Sequence, residues 1–272
     1  MPMYFSPLYS GSSGNALFCQ YGRTRVLIDA GKPGRVVEGA LRGLGAEPDS
    51  VDALLVTHEH SDHIAGVGVL ARRYHLPVYA TRGTWLEMAD KIGRIDPELR
   101  REIVPEKSFA LGDLDVESFP IPHDAAEPVG FRLWGGEVSI AVATDLGHFP
   151  QAVYERIAGS DLVLLESNHD PDMLRANPHY SGWLKQRILG DNGHLSNEAC
   201  ARALRYLIGS GTGTIILGHL SGENNTPDLA RQVSEEVLLR EGIRPGTDVL
   251  LEVALRDQPG RLYTLESRRE TV

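Results

Sequence analysis

Hydrophobic and polar positions along the chain fall into two recurring patterns. Short apolar runs rich in β-branched residues, at 16–21, 25–29, 53–57 and 78–80, predict buried strands. Between the last three, residues 33–44 and 64–74 repeat their apolar positions at helical spacing and close near Gly45 and Pro77. In the second half the runs draw together: 114–120, 129–134 and 138–144 predict an antiparallel meander that turns at Gly135-Gly136. Strands at 162–166, 214–218 and 249–255 then alternate with helices at about 150–159, 196–209 and 226–240. The pattern predicts an α/β chain with two similar halves. The charged stretch 81–107, rich in helix formers, predicts a helical excursion over the core, and 267–272 a frayed end.

With 272 residues, 42% of them hydrophobic, the chain can bury one large core. One domain over 1–272 is expected, since no repeat, low-complexity tract or Pro/Gly/Ser-rich linker marks a boundary. No run reaches the roughly 18–20 apolar residues of a membrane span, and residues 1–6 lack a charged segment followed by an apolar one. No membrane partner and a cytoplasmic location are therefore expected. Two cysteines, Cys19 in a strand and Cys200 in a helix, argue against a disulfide framework and fit small core residues. The net charge of −10 weighs against a broadly basic nucleic-acid surface, although carboxylates that hold cations are counted in it.

The chemistry concentrates in Thr57-His58-Glu59-His60-Ser61-Asp62-His63, between a buried strand and an apolar helix. An extended or turn segment puts His58 and His60 on the same side, while Asp62 and His63 at the turn into the helix can face a second ion. Imidazole nitrogen with carboxylate oxygen suits Zn, Mn or Fe, not Ca or Mg. A merely histidine-rich surface loop would leave these polar groups without partners at the end of an apolar strand.

The run His58-x-His60-x-Asp62-His63, with Asp29 after Val26-Leu27-Ile28, resembles the signature of the metallo-β-lactamase superfamily. Further runs are similar to its YycJ/WalJ group: Ser10-Gly11-Ser12-Ser13-Gly14-Asn15, the ten residues from His63, Glu166-Ser167-Asn168-His169-Asp170, Gly193-His194-Leu195-Ser196-Asn197, and His219-Leu220-Ser221-Gly222-Glu223-Asn224-Asn225. The likeness spans roughly 4–240, and the tail after Gly242 carries little of it. It implies a four-layer αββα sandwich with a dinuclear metal site at one edge of the two sheets. It also implies two divalent ions, one held by His58, His60 and His123, the other by Asp62, His63 and His219. Asp145 would bridge them, Asp62 would share in catalysis, and Asp29 would orient ligands. The activity implied is 5′ to 3′ exonuclease cleavage linked to DNA repair, with DNA ahead of RNA as partner and a metal-bridging hydroxide as nucleophile. An aspartate at the bridge, where antibiotic-hydrolysing members carry cysteine, favours phosphodiesterases.

Other residues are open to two readings. His194 suits the acid that protonates the leaving 3′ oxygen, or a loop and capping histidine; His169 competes for that role or supports the metals. Ser12 and Asn15 sit in a Gly/Ser-rich loop that is either a turn or a phosphate cradle. Asn168, Asn224 and Asn225 either meet substrate or satisfy their own loops. Lys185 and Arg187 read as phosphate contacts or a solvated helix face, and Trp85 and Trp183 as base-stacking or core residues. His75 and His179 receive no role, and His148 lies close enough to Asp145 to support it. Two other functions stay open: a phosphodiesterase for small cyclic phosphates, and a metal-stabilised regulatory protein with vestigial hydrolysis. A homodimer is expected, although no segment announces an interface.

Overall fold

The computed structural model describes residues 1–267. Two seven-stranded sheets form its centre. Edge to edge, the first contains β14 (Tyr263–Leu265), β1 (Met3–Tyr9), β2 (Ala16–Tyr21), β3 (Thr24–Ile28), β4 (Ala53–Leu55), β5 (Val78–Thr81) and β6 (Arg100–Ile103). The second contains β13 (Leu250–Val253), β12 (Thr214–Gly218), β11 (Leu162–Glu166), β10 (Val138–Ala143), β9 (Val129–Gly135), β8 (Leu114–Pro120) and β7 (Ser108–Leu111).

Side chains alternate along a strand, and both faces of these strands are apolar, so each sheet buries both faces. Val26 and Ile28 of β3 and Ile140 and Val142 of β10 point between the sheets, packing with Phe5, Leu55, Phe131 and Leu164. Leu27 points the other way, toward the layer of α1 (Gly34–Gly43), α3 (Val67–Tyr74) and α4 (Arg82–Ile92). Ala141 and Ala143 face α5 (Gln151–Ile157), α8 (Asn197–Gly209) and α9 (Pro227–Arg240). The result is the expected four-layer αββα sandwich. Full burial of each large apolar side chain stabilises it by about 1.5–3 kcal/mol.

Strands β3, β4 and β5 are mutually parallel, as are β10, β11 and β12. Strand β8 runs the same way as β10, because both are antiparallel to β9. The C-terminal ends of these strands therefore open on one edge of each sheet, the usual place for a site in such sheets.

Several expectations need correction. Residues 81–107 are a helical excursion only in part: α4 packs on the core, and β6 after it extends the first sheet. The strand escapes notice in the sequence because Arg100, Arg101 and Glu102 are exposed, as suits an edge strand that must not pair further. The helix expected over 64–74 is two helices, α2 (Ser61–Ile64) and α3, parted at Gly66. A Cβ on Gly66 would stand 2.5 Å from the Lys32 carbonyl oxygen, so the break lets the chain clamp the loop after β3. Strand β1 is masked by Ser6 and Pro7; the proline is tolerated because the register shifts between Pro7 and Tyr9. Beyond residue 242, β13 and β14 pair with β12 and β1. Of the frayed end expected at 267–272, all but Ser267 lies outside the described residues. Among the described residues no helix is long and apolar enough to cross a membrane, and Cys19 and Cys200 are free and buried.

Candidate metal centre

Three of the acidic and imidazole groups sit on sharp turns at strand ends. Asp29 follows β3, Asp145 lies two residues past β10 and His219 follows β12, with φ of 60°, 60° and 55°. A non-glycine residue in this left-handed region costs on the order of 1–3 kcal/mol, a strain that persists only where surrounding contacts enforce it. Here the enforcing contacts are mutual, since the three side chains meet in one network.

Three ring nitrogens converge on one side. His60 Nδ1 lies 3.0 Å from His58 Nε2 and 3.2 Å from His123 Nε2. Alongside, one oxygen of Asp62 stands 3.5 Å from both His63 Nε2 and His219 Nε2. Asp145 lies between the groups: Oδ2 is 3.3 Å from His63 Nε2, and Oδ1 is 3.5 Å from His219 Nε2 and 3.7 Å from His123 Nε2. The structure thus brings together all seven residues expected as ligands, in overlapping groups whose donor atoms lie within 4.8 Å of one another.

The opposite ring nitrogens are tied down from behind. His63 Nδ1 is 2.7 Å from Asp29 Oδ2, and Asp29 also accepts from Thr57 N and Oγ1, both at 2.8 Å. His219 Nδ1 is 2.7 Å from Glu166 Oε1, His123 Nδ1 is 3.1 Å from the Gly193 carbonyl, and His58 Nδ1 is 3.1 Å from Thr57 Oγ1. With Nδ1–H donated outward, the Nε2 lone pair faces inward, as metal ligation requires.

Charge in this cluster is unevenly met. Burial, then the neighbouring His63, His123 and His60, push His58 well below the ordinary histidine range. Burial opposes charge on His219 too, but Asp145 and the hydrogen bonds to Asp62 and Glu166 outweigh it and raise it to about 10. His63 is likewise raised, against its burial, by Asp145, Asp29 and Asp62. Four carboxylates thus draw positive charge inward, and buried Asp145 Oδ2 has no hydrogen-bond partner among the described residues. A nitrogen-rich donor set around an orphaned, buried carboxylate oxygen fits divalent cations.

Glu166 was not singled out from the sequence as a site residue. It takes His194 Nδ1 at 2.8 Å, His219 Nδ1 at 2.7 Å, and the backbone N–H groups of Leu146 and Leu195 at 2.6 and 2.9 Å. The available signal was an acid closing an apolar strand, as Asp29 follows Val26-Leu27-Ile28. His194 joins the cluster, with its ring centroid 5.2 Å from that of His123 and 5.3 Å from that of His219. Glu166, by charge and hydrogen bond, raises His194 despite its burial.

Other expected residues fall in different places. Asn15 Nδ2 lies 3.1 Å from His63 Nε2, its Oδ1 accepts from Gly11 N, and exposed Ser12 lies in the same loop. Asn168 donates to the His219 carbonyl at 2.9 Å. His169 is not brought into the donor groups: it is 1% exposed, neither ring nitrogen has a hydrogen-bond partner among the described residues, and burial lowers its pKa to about 4. Asn224 is buried and accepts from Asn177, and Asn225 donates to the Ser167 and Asn168 carbonyls, so both brace their own loops. Trp85 is a core residue bonded to the Arg101 carbonyl, whereas Trp183 is 71% exposed. Lys185 donates to the Arg175 carbonyl, and Arg187 forks onto Asp124 next to His123. His75 ends α3, and His148 bonds the Asp191 carbonyl at the surface.

The family described as a β-lactamase superfamily domain matches residues 24–219, which hold every one of the seven converging groups. The chain belongs to the metallo-β-lactamase superfamily. Within it, the exodeoxyribonuclease WalJ of Streptococcus pneumoniae is 39% identical over 246 residues, covering 90% of this chain and 91% of that protein. The exodeoxyribonuclease YycJ of Bacillus anthracis is 41% identical over 248 residues, covering 90% and 93%. This places the chain in the superfamily's YycJ/WalJ group. Among solved structures, the metallo-β-lactamase fold protein YhfI from Bacillus subtilis superposes with a TM-score of 0.73 at 18% identity, covering 97% of this chain and all of the other, a likeness of fold.

Proposed function

We propose that this protein is a metal-dependent exonuclease that hydrolyses DNA from the 5′ end in the cytoplasm, with a place in DNA repair. The observation that carries the reading is the convergence of the seven ligand residues, Asp145 among them, in overlapping groups, in a chain 39–41% identical to two exodeoxyribonucleases. In this reading His58, His60 and His123 hold one divalent cation, Asp62, His63 and His219 hold a second, and Asp145 serves both. The donor set suits Zn, Mn or Fe. When bound, the cations supply Lewis acidity, bringing a water to a pKa of about 7 and offsetting charge on the phosphoryl oxygens.

The chain's own residues do the rest. Asp29 and Glu166 hold the outer nitrogens of His63 and His219 and so fix their rings. His194 delivers a proton to the leaving 3′ oxygen: Glu166 grips Nδ1 and favours the charged ring, and Nε2 has no hydrogen-bond partner among the described residues.

The net charge of −10 favours a second reading, hydrolysis of small cyclic phosphodiesters. Purified protein loaded with Mn²⁺ or Zn²⁺ should release the label of 5′-labelled duplex DNA as mononucleotide, shorten 3′-labelled duplex stepwise, and leave 3′,5′-cyclic nucleotides intact. Cleavage of the cyclic esters alone would move the function to small substrates.

A further inference from the structure

The loop carrying His219 runs on through Leu220, Ser221 and Gly222, and these residues form one wall of a cavity of about 380 Å³. The stretch 254–258, beyond the residues that match the family, also lines it. Ser221 is two residues past His219, so the cavity begins within about 8 Å of that residue's Cα. Its volume lies at the lower end of the range typical of small-ligand sites.

Arg256 is the cation of this cavity, and its position is built. A Cβ at Gly222 would stand 1.5 Å from Arg256 Nη1, and one at Gly11 would stand 2.5 Å from Arg256 Cγ. The side chain therefore lies in a groove that two glycines leave open. Its Nε donates to Asp257 at 2.8 Å, while among the described residues neither Nη nitrogen has a hydrogen-bond partner. Nearby, Lys32 Nζ donates to Ser13 Oγ at 3.0 Å and stands 3.7 Å from Asp257. Two cations share one carboxylate, which leaves net positive charge.

The loop of Gly11 and Ser13 is tied to the metal-site residues. Ser10 Oγ accepts from His219 N at 2.9 Å, Gly11 bridges to Leu220, and Asn15 N donates to the Asp62 carbonyl at 2.8 Å. A guanidinium held by packing, with the fork of its two Nη groups unused, matches the geometry of a phosphate.

We propose that this cavity binds the 5′-terminal phosphate of the DNA strand being digested, with Arg256 gripping it through its Nη groups and Lys32 and Ser13 at the edge. The inference rests on the nuclease reading and deepens it: it accounts for how an exonuclease recognises an end. A terminal phosphate monoester carries roughly 1.5 to 2 negative charges at pH 7, an internal diester one.

The test compares kcat/KM on duplexes with 5′-phosphate and 5′-hydroxyl ends, for wild type, Arg256→Gln and Arg256→Lys, all metal-loaded and checked for unchanged melting temperature. Wild type should prefer the phosphorylated end by roughly tenfold or more, Arg256→Gln should bring the ratio close to one, and Arg256→Lys should restore part of it. No preference in wild type, or a preference that survives in Arg256→Gln, overturns the proposal. Calorimetric titration with thymidine 5′-monophosphate separates it from the nuclease reading: the glutamine variant should bind roughly tenfold more weakly. If no DNA is cleaved but that weakening is found, the nuclease reading fails and the phosphate cavity stands. DNA cleavage without end preference leaves the nuclease and removes the cavity.

Discussion

Glu166 concentrates more of the site's chemistry than any other buried residue outside the ligand groups named from sequence. Two oxygens serve two histidines and two backbone N–H groups, and their donors hold the carboxyl well below its usual range although burial works against this. Glu166→Gln keeps the size but replaces one acceptor oxygen with a donor amide, leaving donors facing each other in a buried network. Metal affinity measured by chelator competition should fall by about 10- to 100-fold, with kcat falling alongside. Wild-type affinity and turnover in this variant would show that Glu166 does not position the ligands. The histidine motif was legible in the sequence because its residues are neighbours in the chain. Glu166 was not, because His194 and His219 meet it from 28 and 53 residues away. For the same reason the sequence leaves Asn224 open between a substrate contact and a brace for its own loop, and it is spent on Asn177.

Among the elements, α7 (Gly182–Leu189) stands out because none of its residues is buried, yet it borders the site. Its C-terminal end packs on Gly193, where a Cβ would lie 2.2 Å from the Ile188 carbonyl, and Arg187 forks onto Asp124 beside His123. Trp183 and Arg187 are four residues apart and so share a helix face. Exposing an indole on that face gives a single strand a surface to stack on. Trp183→Ala should weaken binding of single-stranded DNA, read by fluorescence anisotropy, by about tenfold, with metal content unchanged. Unaltered affinity would return Trp183 to an ordinary surface residue. Strand types were readable where an alternation or a short apolar run is unbroken, as in β8, β11 and β12. Elements were lost where a local rule gives way to a neighbour: the charges of edge strand β6, the proline in β1, and Gly66 splitting α2 from α3.

At the scale of the whole molecule, the two sheets bring equivalent devices to one edge. In the first, Asp29 after β3 holds His63; in the second, Glu166 at the end of β11 holds His219. The two similar halves were visible in the alternation of runs, but sheet order was not, because β14 joins β1 from the far end of the chain and β13 extends the sheet past β12. Such pairings depend on long-range packing and leave no mark in local periodicity. The same closure brings Arg256 beside Gly11 and Gly222.

The most direct test of the account is metal content and DNA digestion measured together, on wild type and Asp145→Ala, before and after EDTA. Two divalent ions are expected per wild-type chain, with digestion abolished by EDTA and restored by Mn²⁺ or Zn²⁺, and in Asp145→Ala less metal with activity down by more than about a hundredfold. Full digestion by metal-stripped protein, or by Asp145→Ala, would contradict it.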